Sequence, residues 1–182
     1  CGKQCAVANA GDSRAVMGSV GGKFTELSID QKPEDPVEKL RIDGMGGVVR
    51  QLYDEEYNEY VGPHRVWSKE FNCEAPGIAM ARSIGDQLAA DCGVICDPEV
   101  LFFDLSPGPD GNDKFAAVCS DGVWEFIESK EGMDMVRKVR AEGGGPKRAA
   151  EDLARESLAR WNAEEDVVDD ITAIVLYLDN KE

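Results

Sequence analysis

The chain has 182 residues, 42% hydrophobic and 31% charged, enough for one sizeable buried core and unlike a disordered sequence. Its 36 acidic against 20 basic residues give a net charge of −16, which repels nucleic acid and anionic membrane and argues against binding to a phosphate backbone. The most apolar run, 171–178, is too short to span a bilayer as a helix, so neither nucleic acid nor membrane is expected as a partner.

In chain order, the first half reads as β. Residues 5–10 and 14–20 flank Gly-Asp-Ser and predict a tight hairpin, and 23–28 predicts a third strand after a Gly-Gly turn. Pro and acids at its start and Gly at its end predict a short helix over 33–44, with Val37, Leu40 and Arg41 on one face. A strand over 47–53 follows. Residues 54–76 are polar and aromatic without a sustained period, and predict a long flap-like loop with a short strand near Arg65-Val66-Trp67. Strand material recurs at 77–86, 100–105 and 114–120, with an exposed turn at 106–113.

Two helices come late, over 128–140 and 146–161. Ala150, Leu153, Ala154, Leu158 and Trp161 form the second one's apolar stripe. A strand over 169–178 closes the chain. Strands in series with helices gathered at the end predict a layered α+β fold, one domain over 1–182. The six cysteines include no Cys-x2-Cys pair, and the single His64 stands in no ligand pattern, so zinc is not expected. Reduced thiols imply a cytoplasmic or nuclear location, and a monomer is expected.

Three acidic sites share a strand-end context: Asp12, Asp121 and the pair Asp169-Asp170. Asp121-Gly122 taken alone reads first as turn punctuation, because both residues favour turns for local backbone reasons. Carboxylates fixed at strand ends also suit hard divalent cations, which prefer oxygen ligands. Alternation in the last strand places Asp169 with Ile171, Ala173 and Val175, and Asp170 with Thr172, Ile174 and Leu176. Both sets are apolar enough for burial, so parity leaves the choice open.

Four ordered segments, A-N-A-G-D-S-R-A-V (8–16), P-G-I-A-M-A-R-S-I-G-D (76–86), S-D-G-V-W-E (120–125) and D-D-I-T-A-I-V (169–175), resemble the metal-dependent type 2C protein serine/threonine phosphatases. L-S-I-D-Q-K-P, Glu38, Arg41, Ile42, Gly46, Gly47, 65–67 and G-V-I-C-D-P-E-V support the likeness, which runs over almost the whole chain. The resemblance implies an antiparallel β-sandwich flanked by helices, in four layers α/β/β/α. It implies hydrolysis of phosphoserine and phosphothreonine esters in protein substrates by a water activated between two Mg²⁺ or Mn²⁺ ions.

By the family's pattern Asp121 and Asp169 hold the metal pair, and Asp12 contributes to an additional weaker ion. Glu125 stands where the family has Asp at that extra ion. Val118 and Trp124 are expected to anchor the Asp121 turn in the core. The family's phosphate-binding Arg, its Asp-Gly-His-Gly-Gly stretch and the general-acid His have no counterpart here, so the chain reads as the C-terminal part of the domain with the N-terminal part missing. Alone it is expected to be inactive, and no catalytic residue is assigned within it. Trp67, with Tyr57, Tyr60 and Phe71, is a candidate substrate or partner contact. The alternative is a non-catalytic relative serving as an interaction module.

Overall fold

The computed structural model describes residues 3–105 and 114–178, so Cys1 and the turn expected at 106–113 lie outside the described residues. The elements in chain order begin with β1 (Gln4–Asn9), β2 (Arg14–Ser19), β3 (Phe24–Glu26), α1 (Pro36–Gly44), β4 (Gly47–Asp54), β5 (Glu59–Ser68) and β6 (Pro76–Ile78). Then come α2 (Gln87–Ala90), β7 (Glu99–Asp104), β8 (Lys114–Cys119), α3 (Asp121–Trp124), α4 (Ser129–Ala141), α5 (Pro146–Glu164) and β9 (Ala173–Tyr177). The mixed α/β content with antiparallel sheets agrees with the expected class. The chain forms two compact units, one of Cys1–Ala8, Ser13–Ile29 and Val100–Glu182, the other of Asn9–Asp12 and Asp30–Glu99.

In the first unit an antiparallel sheet runs β3-β2-β8-β9, and β1 pairs with β7 in a separate two-stranded sheet. The expected β1–β2 hairpin is therefore corrected: the two strands lie in different sheets. Its connection is held instead by Gln31, whose Oε1 accepts from the Gly11 N–H at 2.7 Å and whose Nε2 donates to the Asn9 carbonyl at 3.2 Å. Gly11, at φ 128°, has a backbone that a side chain disfavours.

Alternation along β2, β8 and β9 turns Val16, Phe115, Ala117 and Val175 inward against Met133, Val136 and Val139 of α4 and Ala149 and Leu153 of α5. Helix α5 buries Ala149, Leu153 and Ser157, so its inward stripe is offset from the expected one and Leu158 is exposed. Fully burying one such aliphatic side chain contributes about 1.5–3 kcal/mol.

In the second unit β4, β5 and β6 form an antiparallel sheet beside α1 and α2. Asp35 caps α1 by accepting from the Val37 N–H at 3.0 Å, and Pro36 opens the helix where its missing N–H is harmless. The face that Val37 and Leu40 share points outward, at 72% and 76% exposed, while Glu38 and Ile42 are buried.

Where a long loop with one short strand is expected, β5 runs ten residues and pairs with β4 through Tyr53↔Tyr60 and Asp54↔Glu59. The strand expected over 77–86 is confined to β6; beyond it, Gly85 and Asp86 take positive φ and Arg82 keeps an isolated bridge to Ile95.

Candidate metal centre and its supports

The β8–β9 ladder ends at Cys119↔Ala173, and the two chains continue side by side past it. Ser120 clamps them: its N–H donates to the Thr172 carbonyl at 3.0 Å, and its hydroxyl donates to the Asp170 carbonyl and accepts from the Thr172 N–H, each at 3.0 Å. One step further, Gly122 lies against Asp170 so closely that an added Cβ would sit 2.4 Å from the Asp170 carbonyl oxygen. Asp121 and Asp169 each stand one residue from that contact. Each carboxylate also accepts from the next N–H in the chain, Asp121 from Gly122 at 2.9 Å and Asp169 from Asp170 at 2.7 Å.

The Asp121-Gly122 pair opens α3 rather than a simple turn, with the Glu125 N–H donating to the Asp121 carbonyl at 2.8 Å. The expected anchors are corrected in part. Trp124 is buried, its indole N–H reaching the carbonyls of Arg14 (3.1 Å) and Cys119 (3.2 Å), whereas Val118 faces outward and Cys119 and Val123 fill the core. Burial pushes the Cys119 thiol up to about 12, so it stays neutral.

Burial along β9 bears on the open choice of acid. Val175 is buried while Ile174 and Leu176 are half exposed, so the inward parity is the one Asp169 shares. Both acids themselves are exposed, ahead of the strand.

Asp12, in the other unit, is buried and paired with Lys32 at 2.6 Å. Gln31 and Lys32 were legible as part of L-S-I-D-Q-K-P without an assigned task; Gln31 fixes the Asn9–Gly11 backbone and Lys32 meets Asp12. Glu38 joins Arg41 and Arg82, each at 2.6 Å. Burial alone would raise the Glu38 carboxyl, but hydrogen bonds from Arg82 and then Arg41 outweigh it and hold it below the usual carboxylate range. The Glu38 contact correspondingly raises Arg82.

Trp67 does not lie at a surface. It is 7% exposed, its N–H donates to the Arg50 carbonyl at 2.9 Å, the Arg50 guanidinium stacks 4.8 Å from its ring, and Gly77 packs against the ring's other atoms. Ordinary packing accounts for it, while Tyr57, Tyr60 and Phe71 are exposed.

The carboxylate oxygens at the β8–β9 end suit a hard divalent cation, although among the described residues no group of three or more His, Cys, Asp or Glu side chains converges to hold one. Among the described residues no helix is long and apolar enough to cross a membrane.

The fold is that of the type 2C phosphatases. A serine-threonine phosphatase 2C from Toxoplasma gondii superposes with a TM-score of 0.79 at 24% identity, over 98% of this chain and 56% of that one. A C. elegans sex determining protein matches at 0.69 and 19%, over 97% and 37%. A family profile described as Protein phosphatase 2C matches residues 1–166, taking in Asp12 and Asp121 and stopping short of Asp169. The chain belongs to the protein phosphatase 2C family. Curated relatives include probable protein phosphatase 2C 34 of Arabidopsis thaliana, 35% identical over 94% of this chain and 45% of its own length. Probable protein phosphatase 2C 64 of Oryza sativa subsp. japonica is 36% identical over 99% of this chain and 40% of its own length. The chain thus spans less than half the length of these relatives.

Proposed function

We propose that this chain is part of a protein serine/threonine phosphatase that hydrolyses phosphoserine and phosphothreonine esters at a Mg²⁺ or Mn²⁺ centre, with Asp121 and Asp169 as metal ligands. The observation that carries this reading is the clamp at the end of β8 and β9, which brings two acid-bearing segments from distant parts of the sequence together. When bound, the ions would supply a water of lowered pKa and positive charge for the phosphoryl oxygens.

The chain's own residues do the holding. Ser120 fixes the spacing of the two backbones, Gly122 permits their close approach, and the two adjacent N–H groups orient one oxygen of each carboxylate. Asp12 joins the assignment on its motif alone, for an additional ion. Phosphorylated proteins are the proposed substrates.

A non-catalytic interaction module is the second reading. One observation favours it: the Asp12 carboxylate is already neutralised by Lys32. The test is Asp121→Asn in the complete gene product. Loss of Mn²⁺-dependent phosphopeptide hydrolysis with an unchanged melting temperature is expected; undiminished hydrolysis would sink the assignment. Absence of hydrolysis by the unsubstituted protein would favour the module.

A further inference from the structure

We propose that Ser157 and Trp161 of α5 are positioning residues for Asp121, acting through the backbone of Gly122. The inference rests on the proposed role of Asp121 as a metal ligand. Gly122 is held from both sides. Its N–H donates to Asp121 Oδ1 at 2.9 Å, while its carbonyl accepts from Trp161 Nε1–H at 2.7 Å and Ser157 Oγ–H at 3.2 Å. The partners on α5 lie 39 and 35 residues away in sequence, so these bonds are a purchase of α5 on the start of α3 and not a local capping habit.

Packing alone does not call for these groups. Ser157 is wholly buried one turn after Leu153, where an apolar residue would fit the stripe and a hydroxyl costs free energy unless bonded. In a helix interior a serine commonly bonds the carbonyl four residues back; this one reaches Gly122, and at 3.5 Å the neighbouring Val123 carbonyl. Trp161 meets Phe126 edge-to-face, with centroids 4.9 Å apart at 86°. Phenylalanine would keep that ring contact, so the indole N–H is the distinguishing group.

Because Gly122 also abuts Asp170, the backbone of this one residue links three things: the Asp121 carboxylate, the segment carrying Asp169, and α5. Freeing the Gly122 carbonyl unpins the Gly122–Val123 peptide, and with it the Gly122 Cα that joins it to the Asp121–Gly122 peptide, whose N–H orients Asp121 Oδ1.

The test is the double variant Ser157→Ala/Trp161→Phe in the complete gene product, with Leu153→Val as a control for loss of α5 packing alone. Direct Mn²⁺ binding is followed by electron paramagnetic resonance, and amide exchange at Gly122 and Val123 by NMR. The double variant is expected to bind Mn²⁺ roughly tenfold more weakly, at the low end of what losing an outer partner costs a metal site, and to exchange those amides faster. Leu153→Val is expected to lower the melting temperature at least as much with Mn²⁺ affinity unchanged.

Equal Mn²⁺ affinity in the double variant and the control overturns the inference even if the protein is an active phosphatase. Mn²⁺ binding without hydrolysis by the unsubstituted protein overturns the functional reading and leaves this inference standing. An unsubstituted protein that binds no Mn²⁺ overturns both.

Discussion

Replacing Gly122 by alanine adds one methyl group at the tightest point of the candidate centre. The new Cβ would lie 2.4 Å from the Asp170 carbonyl oxygen, 3.0 Å from its carbonyl carbon and 3.4 Å from the Ile171 Cα. All three are backbone atoms, so no side-chain rotation relieves the clash; the segments must separate by about 1 Å, a displacement that can cost a reacting site on the order of a hundredfold. Ser120 resists that separation through three hydrogen bonds to Asp170 and Thr172. Overpacking of this kind costs about 1–3 kcal/mol of stability. The expected result for Gly122→Ala in the complete gene product is a melting temperature lowered by only several degrees, with Mn²⁺-dependent phosphopeptide turnover reduced roughly a hundredfold. Full turnover at wild-type Mn²⁺ dependence would refute the claim that close approach of the two acid-bearing segments matters.

Glu38→Ala leaves the Arg41 and Arg82 guanidiniums without their shared carboxylate and should cost about 3 kcal/mol in denaturant unfolding. The milder Glu38→Gln tests the sign of the linkage. A carboxyl held below its usual range stabilises fully above that range and loses its contribution as pH falls through the folded value. The wild-type advantage over the variant should therefore be present at pH 7 and vanish in acid. Cys119, neutral and buried, should resist thiol alkylation in the native protein while exposed Cys96 reacts, as read by mass spectrometry. Trp67→Ala should lower unfolding free energy by about 3–5 kcal/mol, and comparison across several phosphopeptides should show uniform effects, since the ring packs inside its own sheet.

The strands of the first unit were legible as short apolar runs bounded by turn residues, even where β2 and β8 bury adjacent residues such as Ala15 and Val16 or Phe115, Ala116 and Ala117. The α1 face was not. Helical spacing favoured Val37 and Leu40, whereas burial follows Glu38, whose cost is offset by Arg82, a partner 44 residues away that no local pattern reveals. Strand β5 escaped periodicity because much of its hairpin with β4 is exposed on both faces; its order comes from cross-strand pairs such as Tyr53 with Tyr60, rings 5.2 Å apart.

At the candidate centre, the acids Asp121 and Asp169 could be named from their motifs. What sequence left open, the parity of Asp169, depends on which face of β9 meets the helices. The parts played by Ser157 and Trp161 were hidden because a serine within an apolar stripe looks like a tolerated defect until its distant carbonyl partner is known. The one usable signal was that serine itself, four residues after Leu153 and four before Trp161.

From the last turn of α5 to Asp170 every residue from 162 to 170 is exposed. Side-chain packing therefore exerts little grip on this strap, and residues 165–168 can change freely as long as its span does not. Its far end is fixed by Ser120, its near end by the helix that holds Gly122. The strap behaves as a ruler: removing a single residue from 165–168 would draw Asp169 out of register with Asp121, whereas replacing several there would leave the two acids where they are.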